Sequence, residues 1–202
     1  MKSRFHPCAT LVSFVLLLVL FAWSGTLADT GSDASTRQYA AAVALQNRGV
    51  FDLAAAEWVK FIEEHKGHPR LPNALLHLGV CYLKTDKLEQ AAQSFGTVIK
   101  AHPESDVVEA ASFYLGIAQY TMGQKGKPEM YDAAADAFKQ LLEKFPESRH
   151  APHAIFYQGE CAYARGNKKG AAEMYARLIE KYPEHELATD AMYALGVAQE
   201  EL

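Results

Sequence analysis

The sequence predicts an all-α solenoid of stacked antiparallel helix pairs, on the strength of three observations. A phrase of small and large residues recurs, turn residues separate its halves, and half of the 202 residues are hydrophobic with heavy use of Ala. Small residues let helices approach closely, so this composition suits packed helices better than sheets. The phrase is most legible as Ala74, Leu78, Gly79, Tyr82, Ala91, Ala92, Phe95, Val98 and Pro103. Gly79 is followed by Gly116, Gly159 and Gly196, at intervals of 37, 43 and 37 residues. Ala91-Ala92 is echoed by Ala134-Ala135 and Ala171-Ala172, Phe95 by Phe138 and Tyr175, and Pro103 by Pro146 and Pro183. A period in this range indicates repeated helical hairpins, each burying its apolar face against its neighbours.

Residues 1–28 read as a secretory signal peptide. Lys2 and Arg4 open it, Leu11 to Trp23 is almost wholly apolar, and Thr26-Leu27-Ala28 offers small residues before a cleavage point at Asp29. The apolar run is shorter than the roughly 20 residues that span a bilayer, so an uncleaved membrane anchor is the alternative reading. Cys8 precedes the apolar run, where a bacterial lipoprotein cysteine would follow it, and lipidation is not expected. Residues 29–36 are small and polar without periodicity and predict a flexible linker.

The array occupies residues 37–202. Its first unit pairs a helix carrying Tyr39, Ala42, Val43 and Gln46 with one carrying Ala54, Ala55, Trp58, Phe61 and Ile62, across an Asn47-Arg48-Gly49 turn. The second unit opens at Pro72 and the fourth at Pro152, since proline suits a first helical turn. Asp86, Gly123 and Gly166 are read as the turns of units two, three and four. The third unit opens near Glu109, with Asp106 as a candidate capping-box partner. Its turn is expanded by six residues within Met122 to Met130, an exposed loop that reads as a tolerated insertion or a partner contact. A fifth unit, from near Thr189, contributes a first helix only.

Composition excludes several functions. The net charge is −4, or −6 without Lys2 and Arg4, and no basic cluster offers a footprint for nucleic acid. Cys81 and Cys161 share a register position held elsewhere by Ala118 and Ala198, so they read as buried packing residues with no bridge between them. His68 and His102 precede prolines as Phe145 and Tyr182 do, and read as aromatic packing at the unit joins. His150 and His153 lack a carboxylate or cysteine partner at helical spacing, so no metal site is expected. No phosphate loop, haem motif or nucleophile motif appears, and neither enzymatic activity nor a cofactor is expected.

The spacing from Leu78-Gly79 through Tyr82, Ala91, Phe95 and Pro103 resembles the tetratricopeptide repeat over residues 37–202. The joins His102-Pro103-Glu104-Ser105, Phe145-Pro146-Glu147-Ser148 and Tyr182-Pro183-Glu184-His185 are similar to repeats of the Tol-Pal cell-division coordinator and of outer-membrane assembly lipoproteins. The resemblance implies a right-handed superhelix of about four repeats plus one terminal helix. It also implies a periplasmic role in protein binding for envelope organisation. It places Tyr39, Leu76, Phe113, Phe156 and Tyr193 on the concave face, with Leu83, Tyr120 and Tyr163 one register further along. Asn73, Lys84, His153, Glu160 and Asp190 share that face. Such an aromatic trough suits an extended or helical peptide. The expected function is therefore an exported, non-enzymatic scaffold for a protein or peptide partner, meeting the membrane only through its transient signal peptide. Two alternatives stand beside it: an assembly module self-associating through its C-terminal helix, or the repeat region of an enzyme whose catalytic domain lies beyond residue 202.

Overall fold

A computed structural model describes residues 29–202, with side chains from Ala34 onward; the signal-peptide reading falls outside these residues. Among the described residues all regular structure is helical: α1 (Asp29–Asn47), α2 (Phe51–Glu64), α3 (Leu71–Lys84), α4 (Leu88–Ala101), α5 (Val108–Gln124), α6 (Met130–Lys144), α7 (Ala151–Ala164), α8 (Lys168–Lys181) and α9 (Leu187–Glu200). The pairs α1–α2, α3–α4, α5–α6 and α7–α8 are units one to four, and α9 opens the fifth. The all-α repeat architecture is as the spacing predicts. Residues 29–36 differ from expectation. They are the first turns of α1, and Ser35 is buried beside the unit-one join at Glu64, His65 and His68.

The recurring phrase is a close-approach device. A Cβ placed on Gly79 would lie 2.5 Å from the Phe95 ring, on Gly116 2.5 Å from Phe138, and on Gly159 2.5 Å from Tyr175. The second helix of each hairpin thus presses an aromatic ring flat against bare backbone of the first. Phe95, Phe138 and Tyr175 are all essentially fully buried there. Trp58 takes the same place against Ala42 in unit one.

Turns follow a shared plan. Gly49, Asp86, Gly126 and Gly166 have positive φ, and the next residue's N–H reaches back to the carbonyl of Leu45, Tyr82, Met122 or Ala162. This is a left-handed helix stop, which glycine adopts without strain and aspartate tolerates. Gly126, not Gly123, therefore holds the turn of unit three. Gly123 remains inside α5, where Tyr131 packs on it. Three of the six inserted residues lengthen α5, two widen the turn and one starts α6 earlier. At the joins, the backbone pairing shows that His65, not His68, is the equivalent of His102, Phe145 and Tyr182. The capping box is also not formed: no side chain caps α5, and Glu109 instead accepts a 2.6 Å hydrogen bond from Ser148.

Each helix packs on its sequence neighbours. Beyond that, α3 touches α5, α5 touches α7 and α7 touches α9. In a curved stack the helices on the inner side approach more closely, so the first helices line the concave face. Ion pairs join every neighbouring pair of units at the turn edge: Asp52–Lys87 (2.7 Å), Asp86–Lys125 (2.5 Å), Glu89–Lys127, Asp132–Arg165 (3.1 Å) and Glu201–Lys168 (2.6 Å). Both insertion lysines are thereby clasped to unit two. Such exposed pairs are individually weak, because water and salt screen them.

His77 lies flat on Trp58, ring centroids 5.1 Å apart, and burial lowers its pKa below the ordinary value of 6.5. The unfolded chain then binds the proton more readily, so this ring's stabilisation is present above about pH 6.5 and is lost as pH falls through the folded value. The expected result is a urea midpoint that drops on acidification. His77→Phe should shrink that drop, as measured by denaturation at a series of pH values.

Candidate functional site

The sequence-predicted residues divide by exposure. Tyr39 is half-buried, edge-on to Trp58 at 4.8 Å and Phe61 at 5.4 Å, with the Arg70 guanidinium 5.1 Å from its ring. Desolvation raises its phenol pKa, partly opposed by Arg70. Leu76 and Leu83 are half-buried against the cluster built on Leu75, Phe95 and Val108. Phe113 is only 8% exposed and is covered by His150, stacked at 4.4 Å, so its ring is packing and not lining. These residues hold adjacent units together.

Three of the remaining four gather between units four and five. Phe156, Tyr163 and Tyr193 line one open recess of about 490 Å³ between α7 and α9, with Glu160, Tyr175 and Asp190. Tyr193 is 78% exposed. Tyr163 lies under the Lys168 ammonium, 3.2 Å from the ring centre, and its hydroxyl donates to Glu201 at 2.5 Å. Tyr120 sits one unit back, 5.0 Å from Tyr157, and its hydroxyl donates to Glu160 at 3.4 Å while accepting from Gln124 at 3.1 Å.

Glu160 is the polar centre of this region. Tyr175 donates to its other oxygen at 2.6 Å. Burial, reinforced by that hydrogen bond and the carboxylate's charge, holds the Tyr175 hydroxyl protonated well above its ordinary range. The same burial, then Glu160, raises Tyr120. Units two, three and five hold Val80, Ile117 and Val197 where α7 holds Glu160, and units two and three hold Phe95 and Phe138 where α8 holds Tyr175. Unit four has therefore exchanged an aliphatic–phenyl contact for a carboxylate–phenol hydrogen bond. The Tyr175 hydroxyl is the functional group that reading the phrase as packing overlooks.

The histidines pair differently from expectation. His150 stacks on Phe113, whereas His153 meets His185 at 5.2 Å and Glu186 at 3.8 Å. Donor atoms of His153, His185 and Glu186 lie within 4.8 Å of one another. His185 Nδ1, however, accepts the Leu187 N–H at 3.2 Å, which leaves the neutral ring's proton on Nε2 as a donor and not a lone pair for a metal. His68 makes the same turn with Arg70 N–H, so this imidazole position serves the helix entry. Cys81 and Cys161 are free and buried in separate clusters, their thiols pushed up by burial to about 11 and about 12. Both are unreactive as nucleophiles.

Comparison with known families decides the lineage. The profile described as outer membrane lipoprotein, YfiO, matches residues 32–157, well over half of the chain. The chain belongs to that family. A tetratricopeptide-repeat profile matches residues 129–186, so both signatures run through the solenoid. The YfiO match thus covers units one to three and the start of α7, Glu160, Tyr163 and Tyr175 of the recess lie in the segment matched by the general repeat alone, and the α9 wall lies beyond both. No curated protein sequence matches the chain significantly. Among solved structures, MamA superposes with a TM-score of 0.68 at 21% identity, over 84% of this chain and 82% of that one. A tetratricopeptide repeat protein from Parabacteroides merdae gives 0.69 at 14% identity, over 84% and 61%. YrrB, described as having an unusual peptide-binding site, gives 0.64 at 21% identity, over 80% and 76%. At these identities the likeness establishes the fold alone.

Proposed function

We propose that this chain is a non-enzymatic scaffold of the cell envelope, exported by a leader spanning residues 1–28, that holds a protein or peptide partner along its concave face. The observation that carries this reading is the aromatic recess between α7 and α9, continued toward unit three by Tyr120. Tyrosines give large contact area at low entropic cost, and helices stacked by buried rings hold them rigid before binding. Family membership with outer membrane lipoproteins favours the envelope, and the leader's charge and apolar run favour export. YrrB's described peptide-binding site supports a peptide ligand on this fold.

The test is periplasmic cross-linking and pull-down, followed by calorimetry with the captured partner. Tyr120→Ala with Tyr163→Ala should weaken binding by about tenfold or more, as expected for truncated aromatic anchors. Because Tyr120 is half-buried, Tyr193→Ala serves beside it: this exposed ring leaves helicity and melting unchanged. Wild-type affinity in both variants would rule the trough out.

Exposed Met192 and Tyr193 on α9 favour self-assembly as the second reading. Leu195, by contrast, packs inward against the Tyr175 cluster and is not part of that surface. Light scattering that finds concentration-dependent oligomers lost in Met192→Glu would favour assembly over peptide binding.

A further inference from the structure

The recess between α7 and α9 carries a specific charge signature. Glu160 and Asp190 both line it, and neither is ion-paired among the described residues. Glu160 is partly withdrawn from water, its partners being the phenols of Tyr175 and Tyr120. Phenols donate hydrogen bonds but supply no counter-charge. The remaining wall is aromatic: Phe156, Tyr163, Tyr175 and Tyr193. Carboxylates among ring faces attract a cation, because the rings contribute quadrupolar attraction while the acids contribute charge. The chain already uses this chemistry beside the recess, where Lys168 sits 3.2 Å from the centre of the Tyr163 ring and 2.6 Å from Glu201.

We propose that this recess binds the cationic side chain, arginine or lysine, of an extended peptide partner. The inference rests on the peptide-binding reading above and adds the chemistry of the residue recognised. Placement follows from the register. Glu160 stands where neighbouring units have Val80, Ile117 and Val197, so the charged point occurs at unit four and not along the whole trough. Asp190 enters from α9 and Tyr193 leaves a ring face open to solvent, so a side chain entering from the concave side meets one carboxylate on each helix. Arginine suits this arrangement best, since a planar guanidinium stacks on tyrosine and forks onto carboxylate oxygens together.

The probe is Nα-acetyl-argininamide, titrated into the isotopically labelled exported protein and followed by amide NMR shifts, with Nα-acetyl-citrullinamide as the uncharged control of the same shape. Saturable shifts are expected at the amides of Glu160, Asp190, Tyr193 and Val197, with citrulline binding about tenfold more weakly. Asp190→Asn should lower argininamide affinity several-fold without moving the melting point, because Asp190 is exposed. Glu160→Gln should lower it further. Equal shifts from both probes, shifts confined to other units, or no shifts overturn the proposal. A separate selection from a random peptide library distinguishes the two readings. Peptides that bind through Tyr120 and Tyr163 yet lack basic residues and leave the recess amides unmoved would keep the scaffold and reject the cation site.

Discussion

Gly116→Ala and Gly196→Ala should change stability in opposite directions, although both occupy the same place in the repeat. A methyl at Gly116 meets the Phe138 ring at 2.5 Å. That ring has nowhere to retreat, because Tyr157 stacks on it at 5.7 Å and Phe113 lies at 6.0 Å. Overpacking of this kind costs about 1–3 kcal/mol. At Gly196 nothing lies within 4 Å, so alanine only removes backbone freedom from the unfolded chain and should stabilise by about 0.5–1 kcal/mol. Phe138→Ala empties the same contact from the other side and should cost about 3–5 kcal/mol. The double variant Gly116→Ala with Phe138→Ala should be less destabilised than the sum, since the new methyl occupies part of the space the ring leaves. Urea denaturation of the four variants tests all of this. A destabilised Gly196→Ala, or strict additivity at the other pair, would contradict the close-approach account.

The second large effect concerns unit four's polar exchange. Tyr175→Phe removes a 2.6 Å donor from the partly buried Glu160 carboxylate and should cost about 1–3 kcal/mol. Adding Glu160→Val rebuilds the aliphatic–phenyl combination that Val80 and Phe95 form in unit two. Removing both polar partners together leaves only the longer 3.4 Å bond from the Tyr120 hydroxyl unmade, so the double variant should regain most of the lost stability. It should also lose argininamide binding. A protein that is more stable yet no longer binds would mean that this carboxylate is kept for recognition at the expense of packing.

The fold was legible because the repeat states it several times over. One glycine predicts little, but Gly79, Gly116 and Gly159, each with a ring sixteen or twenty-two residues later, specify which helices face each other. Spacing and structure part only where one unit departs from the shared period. The insertion in unit three moved the turn from Gly123 to Gly126, because three extra residues continue α5 before it stops. The loose end of unit one hid the equivalence of His65 with His102, since the proline that marks the other joins follows His68 there. Residues 29–36 are small and polar and carry no helical period, yet they form the first turns of α1, with Ser35 buried beside the first join.

The candidate site was only partly visible. Register located Phe156, Tyr163 and Tyr193 together, and it also nominated Phe113, whose covering by His150 depends on a join two helices away. The more informative signal was the pair of exceptions. Glu160 replaces an aliphatic residue and Tyr175 replaces a phenyl, fifteen positions apart, and each substitution is unremarkable until the two are placed in contact.

The ion pairs along the turn edge bear on how the molecule deforms. They tie each unit to the next at one edge, while second helices of successive units are separated by the first helix between them. Exposed pairs weaken as salt rises, with a screening length of about 8 Å at physiological ionic strength, whereas the buried rings are indifferent to it. Raising salt should therefore loosen the ties along the turn edge while leaving the buried contacts within and between units in place, so that edge is where the solenoid is most sensitive to its ionic surroundings.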